Sequence, residues 1–339
     1  MEKRIYPTPI EAISGPEAYG RKSFTNAEEA VEALIWLYER NTSFLRDSFA
    51  ALAEGGNADH RYRAFYPEIS VTTSSFAMID SRHAYGHMPA PGQYTTTVTR
   101  PDLFRHYLLE QLQLIIRNHG VPIIVQESET PIPLHFAFFE GTYVEGAAAE
   151  RITRPLRDMF DVPDLNATDD LIANGTYEPA PGEPAPMAPF TAQRIDYSLH
   201  RLAHYTATGP QHFQNFVLFT NYQFYIDEFC AYARKLMAEG GGGYDSFIEP
   251  GNLITLPGQS EAREGAVPIR LPQMPAYHLT KPGHAGITMV NIGVGPSNAK
   301  TITDHIAVLR PHVWLMLGHC AGLRNTQALG DYVLAHAYV

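Results

Sequence analysis

The strongest constraint on what this chain can fold into lies between residues 287 and 317. A mostly apolar run (287–292) enters the turn Gly293-Val294-Gly295-Pro296-Ser297. Next comes a stretch with Ala299, Ile302, Ile306 and Leu309 on one helical face, a stop at Arg310-Pro311, and a second apolar run (313–317). Apolar runs without alternation are what strands buried on both faces show. Strand, helix and strand within about 30 residues fit a right-handed parallel crossover. An α/β unit with a parallel sheet is therefore expected, both of these strands being buried.

In such sheets ligands collect outside the carboxyl ends of the strands. Three such ends are expected here: Thr220-Asn221-Tyr222, Gly293-Val294-Gly295 and Gly318-His319-Cys320-Ala321-Gly322. Glycine at the last two lets a ligand approach backbone N–H groups closely. The closing residues of the chain read as the start of another strand.

Upstream, the 339 residues leave room for a second domain. Residues 1–24 read as an irregular arm. Thr25 and Glu28 have capping-box spacing, and Val31, Ile35, Tyr38, Leu45, Phe49 and Leu52 follow as the stripe of a long helix ended by Gly55-Gly56. Strands are expected at 68–76, 93–99, 121–126 and 134–139. A helix opened by Pro101 and capped by Gly120 lies among them, and a helical piece is expected near 151–160. This is an α+β domain. Residues 161–190, with Ala-Pro-Gly-Glu-Pro-Ala-Pro at their centre, read as a semi-rigid connector, which places the boundary between domains 1–190 and 191–339. Beyond it come helices near 195–204 and 224–239 and a strand at 216–220. The Gly240–Gly243 run lacks a following Gly-Lys-Ser/Thr and reads as a plain loop rather than a P-loop.

A formal charge of −11 argues against a nucleic-acid polymer as partner. No apolar run is long enough for a membrane helix, and Met1-Glu-Lys-Arg-Ile-Tyr-Pro is no secretory signal. Two cysteines, Cys230 and Cys320, form no disulfide framework. The expected compartment is the cytoplasm.

Six strings carry a resemblance. Residues 219–229 (FTNYQFYIDEF), 273–278 (QMPAYH), 291–300 (NIGVGPSNAK) and 318–324 (GHCAGLR) closely resemble the bacterial AMP nucleosidase family, as do 94–101 (YTTTVTRP) and 194–206 (RIDYSLHRLAHYT) upstream. The resemblance implies hydrolysis of AMP to adenine and ribose 5-phosphate by a nucleoside-phosphorylase-like α/β domain. It implies a regulatory α+β domain before it, MgATP as activator and phosphate as inhibitor, no cofactor for catalysis, and hexamers. A purine N-glycosidic bond breaks through an oxocarbenium-like state, which needs a held sugar, a delivered water and a proton for the purine.

In the superfamily that proton comes from a carboxylic acid near the domain's C-terminal end, and an Asp-Met-Glu-like motif holds the ribose. Neither motif is present, and Asp304 and Asp331 read as structural. The α/β domain is thus expected to be incomplete, with no catalytic residue in this chain and the acid beyond Val339. By the same resemblance, Gly318, His319 and Cys320 match the loop beneath the nucleoside. Met316 stands where phosphorylases carry a phosphate-binding arginine, which favours water as nucleophile. His204 corresponds to a histidine that reaches a neighbouring subunit's nucleoside.

The substrate-binding candidates are His204, Tyr205, Thr206, Asn221, Tyr222, Gly293, Val294, Gly295, Gly318, His319 and Cys320. A packed helix-end histidine remains the alternative for His204. Thr95, Thr96, Thr97 and Arg100, at a sheet edge beside the expected N-terminus at Pro101, are candidates for an effector phosphate, with strand packing the alternative. His200 and His204 are four apart on a helix, yet no third ligand accompanies them and no metal is expected. Cys320 beside His319 could suggest a thiol nucleophile, but glycosidic hydrolysis needs none. Two other readings stay open: a nucleotide-responsive regulatory or assembly fragment without catalysis, and a purine nucleoside phosphorylase.

Overall fold

The computed structural model describes residues 10–56, 59–74, 76, 88–138, 152, 154–168 and 170–334. The chain divides into two compact units, Met1–His200 and Arg201–Val339.

The first unit is built on a five-stranded sheet. Its strands are β2 (Lys22–Phe24), β4 (Phe65–Thr73), β5 (Gly92–Thr97), β6 (Ile123–Pro131) and β7 (Ala185–Pro186), in the order β2-β6-β4-β5-β7. A separate parallel pair joins β1 (Ile13–Ser14) to β3 (Arg61–Tyr62). Helix α1 (Ala27–Ala53) runs 27 residues, roughly 40 Å at 1.5 Å per residue. Its start differs from the expected capping box. Asn26 is the cap, and its side chain accepts from the N–H groups of Glu28 at 2.8 Å and Glu29 at 3.3 Å. That leaves Glu28 and Glu29 in the first turn, where the helix dipole favours carboxylates. Tyr38, Leu45, Phe49 and Leu52 are buried with Tyr66, Leu134, Met159 and Phe160.

Three further expectations change. Helix α2 (Arg105–His119) begins after a turn at 101–104, not at Pro101, and Gly120 closes it in the left-handed region at φ 65° as expected. The strand expected at 134–139 is instead the short helix α3 (Leu134–Ala137), with residue 139 outside the described residues. Pro133 explains the break, since it cannot donate to a sheet ladder. The piece near 151–160 is helix α4 (Leu156–Met159), part of the expected span lying outside the described residues. The Pro-rich connector is more than a spacer. It holds helix α5 (Asp170–Ala173) and sends β7 into the sheet parallel to β5, Tyr94 opposite Ala185.

Helix α6 (Ala192–Thr206) begins in the first unit. There Asp196 is fully enclosed. It accepts from the Tyr66 hydroxyl at 2.6 Å and the Thr99 hydroxyl at 2.7 Å. Burial pushes its carboxyl up to about 7, against the lowering pull of those two hydrogen bonds and of Arg100.

The second unit carries six strands in the order β10-β9-β11-β12-β8-β13. They are β8 (Phe216–Thr220), β9 (Ser246–Glu249), β10 (Leu253–Thr255), β11 (Ala276–Thr280), β12 (Ile287–Asn291) and β13 (Val313–Leu317). The sheet is mixed. β12, β8 and β13 are parallel, while β9, β10 and β11 add an antiparallel flank that the sequence reading missed. Alternation along β8 sends Val217 and Phe219 to a cluster with Ile302 and Ile306, on helix α8 (Pro296–Ala307). Leu218 faces the opposite cluster, with Ile226, Cys230 and Met237 on helix α7 (Gln223–Ala238). Both faces of the sheet centre are thus covered. The crossover from β12 to β13 passes over β8, since each of the two strands pairs with β8 and not with the other.

The expectation that residues 313–317 are buried is overturned. Among the described residues β13 is the sheet edge, and Val313, Trp314, Leu315 and Met316 are 41–47% exposed. Residues 331–334 form no strand, and the rest of the strand expected at the chain's end lies outside the described residues.

Candidate functional site

The expected strand ends come together because of the sheet order. Thr220 at the end of β8 stands opposite Asn291 of β12 on one side and Leu317 of β13 on the other. The residues that follow, Asn221, Ile292-Gly293 and Gly318-His319, therefore leave the sheet side by side. Gly293 at φ 63° and Gly295 at φ 110° bend the chain into α8. The second value, with ψ 147°, lies where only glycine is at ease. Pro296 fills the first turn of α8, where its missing N–H costs nothing. The result is a helix N-terminus opening at a strand end, a place suited to an anion.

Hydrogen bonds knit this edge. Asn291 accepts from the Gly293 N–H at 3.0 Å and donates through Nδ2 to Gln223 Oε1 at 3.0 Å. Gln223 in turn donates to Asp227 Oδ1 at 2.8 Å. The Thr220 hydroxyl accepts from the Tyr222 N–H at 3.1 Å. The Tyr222 ring lies 4.4 Å from the imidazole of His319, centre to centre. Tyr225 meets the same imidazole, hydroxyl to Nε2, at 3.0 Å. Asn221, Val294 and His319 stay exposed, so this edge presents an amide, an imidazole and backbone N–H groups to solvent. Cys320 is exposed in the same loop. A Cβ on Gly318 would sit 3.7 Å from the Tyr222 ring, ordinary contact, so that wall does not demand glycine.

Sequence reasoning missed Gln223, Tyr225 and Asp227. The signal was available. Tyr222 and Tyr225 are three apart at the start of a helix, a spacing that puts two side chains on one face.

Other candidates fall elsewhere. Thr206 is fully buried. Its hydroxyl donates to the Leu202 carbonyl at 2.8 Å and lies 3.0 Å from that of Thr208. Thr208 continues to His278 Nε2, and His278 Nδ1 to Thr288, each at 2.9 Å. The expectation that Thr206 touches substrate is corrected, because its groups are spent inside this network. Tyr205 stacks on His305 of α8 at 5.9 Å and under the Arg201 guanidinium. His204 is exposed and meets Tyr205 edge-on.

In the first unit, Thr95 donates to the Ile69 carbonyl, Thr96 to the Thr97 carbonyl, and Thr97 accepts from the Ala192 N–H. Arg100 grips Asp102 with two nitrogens, at 2.8–3.2 Å. These groups serve the fold, and the helix N-terminus expected beside them lies four residues further on. His200 packs on Phe136, and burial first, then His135 and Arg100, lowers it to about 4. Asp304 pairs with Lys300 at 2.6 Å, and Asp331 accepts from the Ala328 N–H at 2.8 Å. Burial pushes the Cys230 thiol up to about 12.

An α/β unit of the kind that takes ligands at its strand ends, preceded by an α+β unit, is the class these elements define. Residues 29–184 match the family described as Bacterial AMP nucleoside phosphorylase N-terminus. AMP nucleosidase of Escherichia coli (strain K12) is 43% identical over 321 residues, which is 92% of this chain and 65% of that protein, and the protein of that name from Escherichia coli O157:H7 gives the same figures. The chain is thus similar to these AMP nucleosidases over most of its own length, and it spans 65% of the length of the curated relatives it matches. The crystal structure of AMP nucleosidase from Bacteroides thetaiotaomicron VPI-5482 overlaps 38% of this chain and 41% of its own, at 23% identity and a TM-score of 0.25.

Proposed function

We propose that this chain works in the hydrolysis of AMP to adenine and ribose 5-phosphate, its second unit cradling the sugar-phosphate half. The observation that carries the reading is the adjacency of the β12, β8 and β13 carboxyl ends, with Gly293, Gly295 and the α8 N-terminus beside Asn221 and His319. A phosphate ester carries close to two negative charges, and imidazole, amide and backbone N–H donors suit it. Val294 and Gly295 offer backbone N–H groups to the sugar phosphate, Gly293 shapes the turn that brings them there, and Tyr222, Gly318, His319 and Cys320 form the opposite wall. Met316, apolar where a phosphate-binding arginine would serve phosphorolysis, supports water as the nucleophile. No residue of this chain is assigned to protonating the purine. The first unit is regulatory in this reading, with MgATP and phosphate as opposing effectors. The chain acts as a homo-oligomer, a hexamer in the resemblance, in the cytoplasm. Among the described residues no helix is long and apolar enough to cross a membrane.

The test compares binding of AMP, adenosine and inosine by the chain, followed by product analysis with and without added phosphate. AMP is expected to bind at least tenfold more tightly than adenosine, and any sugar released to be ribose 5-phosphate at a rate that does not require phosphate. Equal binding of AMP and adenosine would remove the phosphate contact. Phosphate-dependent release of ribose 1-phosphate would restore the phosphorylase reading.

A further inference from the structure

His319 is an exposed imidazole on a loop, yet two aromatic side chains of one helix hold it. Tyr222, the cap of α7, lies 4.4 Å from its ring centre, and Tyr225, one turn on, lies 5.3 Å away. The two tyrosines stand edge to face at 6.1 Å, an arrangement favoured by the aromatic quadrupole. Only one of these contacts is polar: the Tyr225 hydroxyl to Nε2 of His319, at 3.0 Å.

A neutral imidazole carries one hydrogen, and the bond made by one nitrogen decides which atom holds it. A phenol hydroxyl donates well, and when it donates to Nε2 the ring hydrogen must sit on Nδ1. We infer that Tyr225 is a positioning residue, which fixes His319 with Nδ1–H as a donor toward an acceptor oxygen of a sugar phosphate. The inference rests on the proposed cradle for its ligand, though the tautomer itself can be read without any ligand. It accounts for the pairing of an aromatic hydroxyl with a histidine at the end of an edge strand, where packing alone would be served by phenylalanine. It also makes the site selective. An imidazole held this way gives a hydrogen to phosphate or ribose oxygens and takes none from them.

Nitrogen-15 NMR of the full chain reads the tautomer of His319 directly, with the resonance assigned through His319→Ala. The expected result is Nδ1–H in the parent protein and a shift toward Nε2–H in Tyr225→Phe, with the melting temperature unchanged. Binding is read in parallel with AMP, adenosine and inorganic phosphate. Tyr225→Phe is expected to weaken AMP at least fivefold, and to have no further effect in the His319→Ala background, since coupled residues fail to add. A loss shared by AMP and adenosine assigns the Nδ1–H to the ribose. A loss confined to AMP and inorganic phosphate assigns it to the phosphate. A parent tautomer of Nε2–H, an unmoved tautomer in Tyr225→Phe, or additive losses in the double variant would each overturn the inference. If AMP fails to bind the parent chain, the cradle falls while the tautomer measurement still decides the role of Tyr225.

Discussion

Asp196 shows how one enclosed carboxyl can set a pH response. Its folded carboxyl titrates near 7, against about 3.9 in an unfolded chain. The native state therefore keeps a proton through that interval that the unfolded chain gives up. The stabilisation is complete below about pH 4 and is lost as pH rises through 7. Linkage puts the span on the order of 4 kcal/mol. His200 and His212, both lowered to about 4 chiefly by burial, act in the opposite sense, adding stability as pH rises from 4 toward 6.5. The Asp196 contribution is isolated by difference: denaturant unfolding of Asp196→Asn against the parent should show the parent losing relative stability between pH 4 and 7. A constant difference across that range would contradict the assignment. The same residue marks a limit of sequence reading. Asp196 lies within a string that suggests the family, but nothing in its spacing shows that Tyr66 and Thr99, 130 and 97 residues away, close over it.

At the scale of elements, the turn into α8 carries the sharpest expectation. Gly295 at φ 110° admits no other residue without strain. Gly295→Ala should cost about 1–3 kcal/mol in thermal or denaturant stability and displace the α8 N-terminus. In the core below, Ile302→Ala should cost about 2–5 kcal/mol, because Ile302 is fully enclosed between helix and sheet.

The elements with a clean period were legible. α1, α2, α6, α7, β8, β12, α8 and β13 appear close to where apolar spacing and turn residues put them. Those that failed did so for physical reasons. Ala276–Thr280 is buried on both faces and shows no alternation, and Leu253–Thr255 is too short to carry a period. Leu134–Ala137 is as apolar as a strand, and only its neighbour Pro133 argues otherwise. In the candidate site, Gly293, Gly295, Asn221 and His319 could be read because glycine and strand ends are visible in a linear string. Tyr225 was open to reading through its spacing from Tyr222, whereas Gln223 was not, because its part depends on how the first turn of α7 faces Asn291.

For the whole molecule, the expectation concerns subunits. His204 is exposed at the end of α6, where a proposed neighbour would offer its nucleotide. In the proposed assembly, with the proposed activity on AMP, His204→Ala should raise the Michaelis constant for AMP several-fold more than that for adenosine. An equal change for both substrates would leave His204 a surface residue. The edge formed by Val313, Trp314, Leu315 and Met316 has a practical consequence of its own. Unpaired backbone flanked by large apolar groups is a template for further pairing. A purified preparation of these 339 residues should bind hydrophobic dyes strongly, form larger species as it is concentrated, and become better behaved when Leu315→Lys places a charge in the middle of that strand.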